Sequence, residues 1–198
     1  LTAIIEKEEV YLKHFFDSIS LSFFFDLHQV QTVCDVGAGA GFPSIPLKIC
    51  FPHLHVTIVD SLKKRISFLQ TLVSKLQLND IELVHERAEN FGQQKMYREK
   101  FDLVTARAVA KMAVLVEYCL PLTKVGGTFI ALKGAQLDEE LSEANNAIKL
   151  LGGQLIDHHH FRLPIEQSER TIVVVDKVHP TKKKYPRKAG LPQKNPLT

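Results

Sequence analysis

Val33–Leu47 reads VCDVGAGAGFPSIPL. A short apolar run carrying one acid, Asp35, gives way to three glycines at alternate positions, Gly37, Gly39 and Gly41. Glycines clustered at the end of a buried strand let the backbone come close to a ligand, because no Cβ stands in the way. FPSIPLKIC then reads as a helix start, with Pro43 and Pro46 tolerable in a first turn. The stretch is therefore strand, glycine turn, helix.

Outward from that turn the pattern repeats. HVTIVD is a second strand, and SLKKRISFLQTLVSKLQL an amphipathic helix with Ser61 as its N-cap. IELVHE and FDLVTARAV are the third and fourth strands, and MAVLVEYCLPL is a helix. GGTFIALKG is a fifth strand introduced by Gly126 and Gly127, and DEELSEANNAIKLLGG is a helix ending on glycines. QLIDHHHFRLP and RTIVVVDKV follow without a helix between them, so they form a hairpin that places one antiparallel strand in the sheet. Alternating strands and helices imply an α/β fold with a mostly parallel, seven-stranded, Rossmann-like sheet covered on both faces. Ahead of it, residues 1–30 are expected to be helical, as a helix pair on the domain edge with a dense phenylalanine cluster (Phe15, Phe16, Phe23, Phe24, Phe25). Residues 31–179 complete a single domain.

Composition sets the class. With 198 residues, 45% of them hydrophobic and 24% charged, the chain is long enough for one real core. No apolar run approaches the roughly 18–20 residues of a membrane span. The three cysteines, Cys34, Cys50 and Cys119, are far apart and form no CxxC pair, as for reduced thiols in a cytoplasmic protein. The net charge of +3 hides an asymmetry. Residues 180–198 hold six basic residues and no acid, leaving −3 on residues 1–179. With four prolines besides, this segment is expected to be an extended basic arm for a polyanion partner. The His158–His160 run invites a metal reading, but consecutive strand residues alternate faces, so three cannot converge on one ion. No metal site is expected.

The ligand at the glycine turn is narrowed by a second signal. The strand HVTIVD ends in Asp60, nineteen residues after Gly41, where an acid accepts ribose hydroxyls. Dinucleotides favour G-x-G-x-x-G with pyrophosphate on the helix N-terminus. The spacing here is G-x-G-x-G. S-adenosylmethionine carries no phosphate, only adenosine and a zwitterionic methionine end, and it suits this turn better than NAD does.

These residues carry a resemblance. LTAI, EEVYLKHFFDS, DVGAGAGFPSIPL, VDSLKKRISFL, RAENF, FDLVTARAVA, LPLTKVGGTFIALKG and KKKYPRKAGLPQKNPL together resemble the bacterial ribosomal RNA small-subunit methyltransferase G (GidB) family, nearly end to end. TARAVA and the KYPRKxGxPxKxPL tail are specific to that family. Its chains carry a further helical stretch ahead of LTAI, so a longer chain is expected. The resemblance implies a class I S-adenosylmethionine-dependent methyltransferase that methylates N7 of a guanine in the decoding region of 16S rRNA. It implies a cytoplasmic, non-membrane enzyme, expected to be a monomer, acting on 16S rRNA or the small subunit.

Carried over residue by residue, Gly37 and Gly39 hold the cofactor against the turn and Phe42 walls its methionine end. Asp60 takes the ribose, with Ser61 beside it and Leu62 on the adenine face. Ala88 and Glu89 meet the adenine edge. Arg107 lies where donor and substrate meet; a structural arginine paired with Asp60 or Glu89 is the plainer alternative. Lys133, His14 and Asp17 are substrate-side candidates, Lys133 and Arg107 being the catalytic ones. Lys182, Lys183, Lys184, Arg187, Lys188 and Lys194 are the expected RNA contacts. Guanine N7 already has an in-plane lone pair, so no general base is expected. The rivals are a methyltransferase of small molecules or proteins, an NAD-linked dehydrogenase, and an RNA-binding module that keeps an inherited pocket.

Overall fold

The computed structural model describes residues 6–135 and 137–197; the LTAI motif lies outside the described residues. A seven-stranded sheet is built from β1 (Thr32–Val36), β2 (His55–Asp60), β3 (Ile81–His85), β4 (Phe101–Arg107), β5 (Thr123–Lys133), β6 (Gly153–Arg162) and β7 (Glu169–Lys177). Their order is β3-β2-β1-β4-β5-β7-β6. All neighbours are parallel except β7, which runs antiparallel to both β5 and β6. Every expected strand is present, and the terminal hairpin pairs as expected. β5 starts earlier than its glycine pair suggested: a register shift against β4 lets Gly126 and Gly127 lie inside the strand.

The strands have two apolar faces because both are covered. Along β5, Phe129 and Ala131 join one core cluster while Ile130 and Leu132 join the other; β7 splits Val173 and Val175 from Ile172 and Val174 in the same way. This is the two-residue period of a strand. One face is closed by α5 (Ala88–Phe91), α6 (Met112–Cys119) and α7 (Asp138–Leu150), the other by α3 (Ser44–Cys50) and α4 (Lys63–Lys75). Every residue of α6 is buried, so a Leu115→Ala change removes about 2–5 kcal/mol.

Two expectations are corrected. The N-terminal region is one continuous helical stretch and not a helix pair: α1 (Lys7–Val10) runs through a π-helical segment (Tyr11–Phe16), a short α2 (Asp17–Ile19) and a 3-10 turn (Ser20–Phe23). Among the described residues of this region Leu21 and Leu27 are fully buried, and Phe23 is exposed. The basic C-terminal segment is not extended but packed. Tyr185 is 4% exposed and joins the α6 core cluster. Arg98 donates to the carbonyls of Thr181 (2.8 Å) and Tyr185 (2.7 Å), and Gln93 to that of Pro186 (2.7 Å). Arg187 clamps the fully buried Glu117 through two nitrogens, Nε at 2.9 Å and Nη2 at 2.6 Å. A segment without acids docks because the body supplies them. A short α8 (Leu191–Lys194) ends it.

The chain reverses direction across the sheet at β1: β2 and β3 lie to one side, β4 to the other. The glycine turn follows β1 at this switch point, where open α/β sheets bind ligands.

Candidate active site

Gly37, Gly39 and Gly41 all have positive φ, at +74°, +61° and +96°. At Gly41 a Cβ would stand 2.5 Å from Ile45 Cγ1 and 3.0 Å from Leu69 Cδ2, so the third glycine seats the turn against α3 and α4. At Gly39 a Cβ would meet nothing within 4 Å, because that space is the pocket. The pocket is a cavity of about 480 Å³, within the usual range for a small ligand. Gly37, Ala38, Gly39 and Ala40 form its floor.

One end is acidic. Asp60, at the end of β2, is 3% exposed yet lines the cavity. Its Oδ1 accepts the Leu62 N–H at 2.9 Å; its Oδ2 accepts the Gly39 N–H at 3.3 Å and Arg65 Nη1 at 3.2 Å. A carboxylate has about four acceptor positions, so Arg65 competes with any hydroxyl for this acid. Ser61 lines the cavity beside it but does not cap α4. The cap position is Leu62, with no side-chain cap bond, and Asp60 meets the Leu62 N–H instead. Leu62 is half-exposed and stands outside the lining. Ala88 and Glu89 lie across the cavity, with Tyr118. The Glu89 carboxylate accepts the Gly190 N–H of the C-terminal segment at 2.7 Å. Burial, then the nearby Glu89 and Glu117 carboxylates, push the Tyr118 hydroxyl up to about 12.

The other end is aromatic and cationic. The π-helical segment sets His14 face to face with Phe42, centroids 4.9 Å apart, and the Arg107 guanidinium sits 5.1 Å from the same ring. Arg107 donates to Asp17 Oδ2 at 2.9 Å, not to Asp60 or Glu89. Asp17, buried behind it, also accepts Arg170 Nε at 3.1 Å. Burial, then Arg107, lowers the His14 pKa, so this ring stays neutral near pH 7.

Lys133 is not brought here. Its Nζ pairs with Glu140 at 2.6 Å and donates to the Ala110 carbonyl at 3.0 Å, outside the lining. Arg187 is likewise turned inward onto Glu117, while Lys182, Lys183, Lys184, Lys188 and Lys194 are exposed. The histidine run alternates as expected: His159 stacks on Phe24 at 4.7 Å, whereas His158 and His160 share the opposite face. Those two, with Asp138, bring exposed ligand atoms within 4.8 Å of one another, a grouping that sequence spacing does not show.

Asp35 went unassigned in the sequence. It is fully buried under the turn, and burial lifts its pKa to about 7. Its Oδ2 accepts the Ser44 N–H at 3.1 Å. Pro43 has no N–H, so the start of α3 has a proline and a donor already held by an acid. A pyrophosphate needs free donors there; an adenosine with a methionine end does not. The residues thus fit S-adenosylmethionine: an acid placed for ribose hydroxyls, an open glycine floor, and an α3 start whose proline and acid-held N–H leave a pyrophosphate no free donor.

Fold and site together define a Rossmann-like, S-adenosylmethionine-dependent methyltransferase. Solved structures share the fold: an S-adenosylmethionine-dependent O-methyltransferase from Thermotoga maritima superposes with a TM-score of 0.62 at 12% identity, over 92% of this chain and 69% of that one. A 16S rRNA (adenine(1408)-N(1))-methyltransferase mutant from Catenulisporales acidiphilia gives 0.63 at 15%, over 77% and 87%. The profile of the rRNA small subunit methyltransferase G family matches residues 1–172. Proteins named ribosomal RNA small subunit methyltransferase G are 62% identical in Bacillus pumilus and 60% identical in Bacillus subtilis, each over all of this chain and 82% of the relative. The chain belongs to the rRNA small subunit methyltransferase G family.

Proposed function

We propose that this enzyme transfers a methyl group from S-adenosylmethionine to N7 of a guanine in the decoding region of 16S rRNA, as a cytoplasmic monomer acting on the rRNA or the small subunit. Family membership supports the cofactor and the rRNA class. Among the described residues, no helix is long and apolar enough to cross a membrane.

One observation carries the choice of atom: the Phe42 end of the pocket is flat, cationic and free of lining carboxylates. An exocyclic amine or a hydroxyl must lose a proton during transfer, which calls for a base. Asp17, the acid behind this end, is buried and held by two arginines, and His14, stacked on Phe42 with its pKa lowered, is a weaker base than a free imidazole. Guanine N7 presents a lone pair and needs no base. Beside N7, guanine shows the O6 acceptor where adenine shows an amino donor. Arg107 facing O6 therefore favours guanine, provided it leaves N7 free.

In this reading Asp60, Gly37, Gly39, Ser61, Ala88 and Glu89 hold the adenosine side, and Leu62 borders it from outside the lining. Phe42 and Arg107 border the reacting end, and His14 backs the Phe42 ring. When bound, the cofactor supplies the electrophilic methyl on a good leaving group. The protein's share is placement, worth roughly 7–11 kcal/mol when two reactants are held well aligned. The exposed lysines of residues 182–194 engage phosphates.

The test is nucleoside mass spectrometry of 16S rRNA and of assembled small subunits incubated with the protein and labelled donor. The expected label is in 7-methylguanosine. Label in an exocyclic or ribose position, or in neither RNA, contradicts the proposal.

A further inference from the structure

The pocket has a wall that does not come from the methyltransferase sheet and helices. Gln193, in α8 of the C-terminal segment, lines it at the end shared by Glu86, Ala88, Glu89 and Tyr118. Its position is fixed by strong anchors. Arg187 holds Glu117 and also donates to the Asn195 carbonyl at 2.9 Å, which ties the two sides of α8 together. The Gly190 N–H, at a left-handed φ of +81°, is captured by Glu89 at 2.7 Å. Pro192 is buried. Between these anchors Leu191, Gln193 and Lys194 are exposed, and of the three Gln193 lines the cavity.

Glu89 was the side chain expected to meet the adenine edge. Its carboxylate instead accepts the Gly190 N–H of the C-terminal segment. An ionised carboxylate is also an acceptor only, whereas the adenine edge pairs an amino donor with ring-nitrogen acceptors. A carboxamide offers one acceptor and two donors and matches both. We infer that the C-terminal segment supplies an adenine-reading contact of the cofactor pocket, through the carboxamide of Gln193, with Glu89 serving to seat the segment. The inference rests on reading this cavity as the cofactor pocket. It also gives the packed tail a role apart from its lysines: the element that meets RNA is one wall of the cofactor site.

The test is calorimetry on the full chain with S-adenosylhomocysteine and with its 6-deamino (purine) analogue, using the parent, Gln193→Ala and Asp60→Ala. One hydrogen bond in a partly buried site is worth about tenfold in affinity. Gln193→Ala should weaken S-adenosylhomocysteine about tenfold more than it weakens the 6-deamino analogue, because the bond to the amino group is already absent there while a bond to a ring nitrogen is lost from both. Its melting temperature should match the parent's, since the side chain anchors nothing. Equal affinity of Gln193→Ala and parent, or equal loss on both ligands, overturns the adenine contact. Asp60→Ala separates the two readings: if it too leaves S-adenosylhomocysteine binding unchanged, the cavity is not the cofactor pocket, and if it alone weakens binding, only the Gln193 contact falls.

Discussion

The floor and the rim of the pocket were written into the chain in different ways. The floor is local: a strand, three glycines and a helix within Val33–Cys50, each glycine needed for a conformation or a close approach that its neighbours dictate. The rim is assembled from a distance. Arg187 finds Glu117 seventy residues away, Gly190 finds Glu89 across 101, and Arg107 finds Asp17 across ninety. Local patterns reveal the first kind of structure. The second depends on where the fold delivers charges, so composition alone misjudged it: a proline-rich segment with no acids of its own reads as solvated, yet the acidic body holds it in place.

The sharpest break between floor and rim is expected at the clamp. Arg187→Ala strands a buried carboxylate and should cost about 3–5 kcal/mol of stability in urea denaturation. If the tail were a free arm, the midpoint would not move. The floor is tested by Gly37→Ala. Its Cβ would meet Val109 Cγ2 at 2.8 Å, at a φ that disfavours side chains, so a loss of about 1–2 kcal/mol is expected, with weaker S-adenosylhomocysteine binding by calorimetry.

Asp35 lies beneath the floor and gives a pH signature. Folded, it keeps its proton up to about pH 7; unfolded, it releases it near 3.8. Between these values the folded state binds more protons, so stability falls as pH rises, by at most about 1.4 kcal/mol per pH unit. Asp35→Asn should flatten that slope in urea midpoints measured from pH 4 to 7. The smallest stability effect belongs to the exposed lysines. Lys183→Ala should shift stability by less than about 0.5 kcal/mol. It should lower the salt dependence of RNA binding by about 0.7–0.9 in log–log slope if that lysine touches a phosphate.

All seven strands, the switch point and an acid at the end of β2 beside the glycine turn could be read in advance, because strand periodicity, glycine spacing and an acid at a strand end are short-range signals. Ser61 was misread as a cap because its type fits one; the structure gives the cap position to Leu62 and the N–H to Asp60. Lys133 looked catalytic from its place at the end of β5, but α7 carries Glu140 to it. Asp35, Arg65 and Gln193 went unassigned: a buried acid, an arginine competing for Asp60 and a rim carboxamide are recognisable only once their neighbours are known.

The central claim is that the aromatic, cationic end of the pocket works by placement without a base. The single-turnover rate of methyl transfer to rRNA, followed from pH 5.5 to 8.5, tests it most directly. The rate constant is expected to show no rising limb across that range, since the acceptor has no proton to lose. A limb rising tenfold per pH unit would show a group that must first be deprotonated, and would contradict the account.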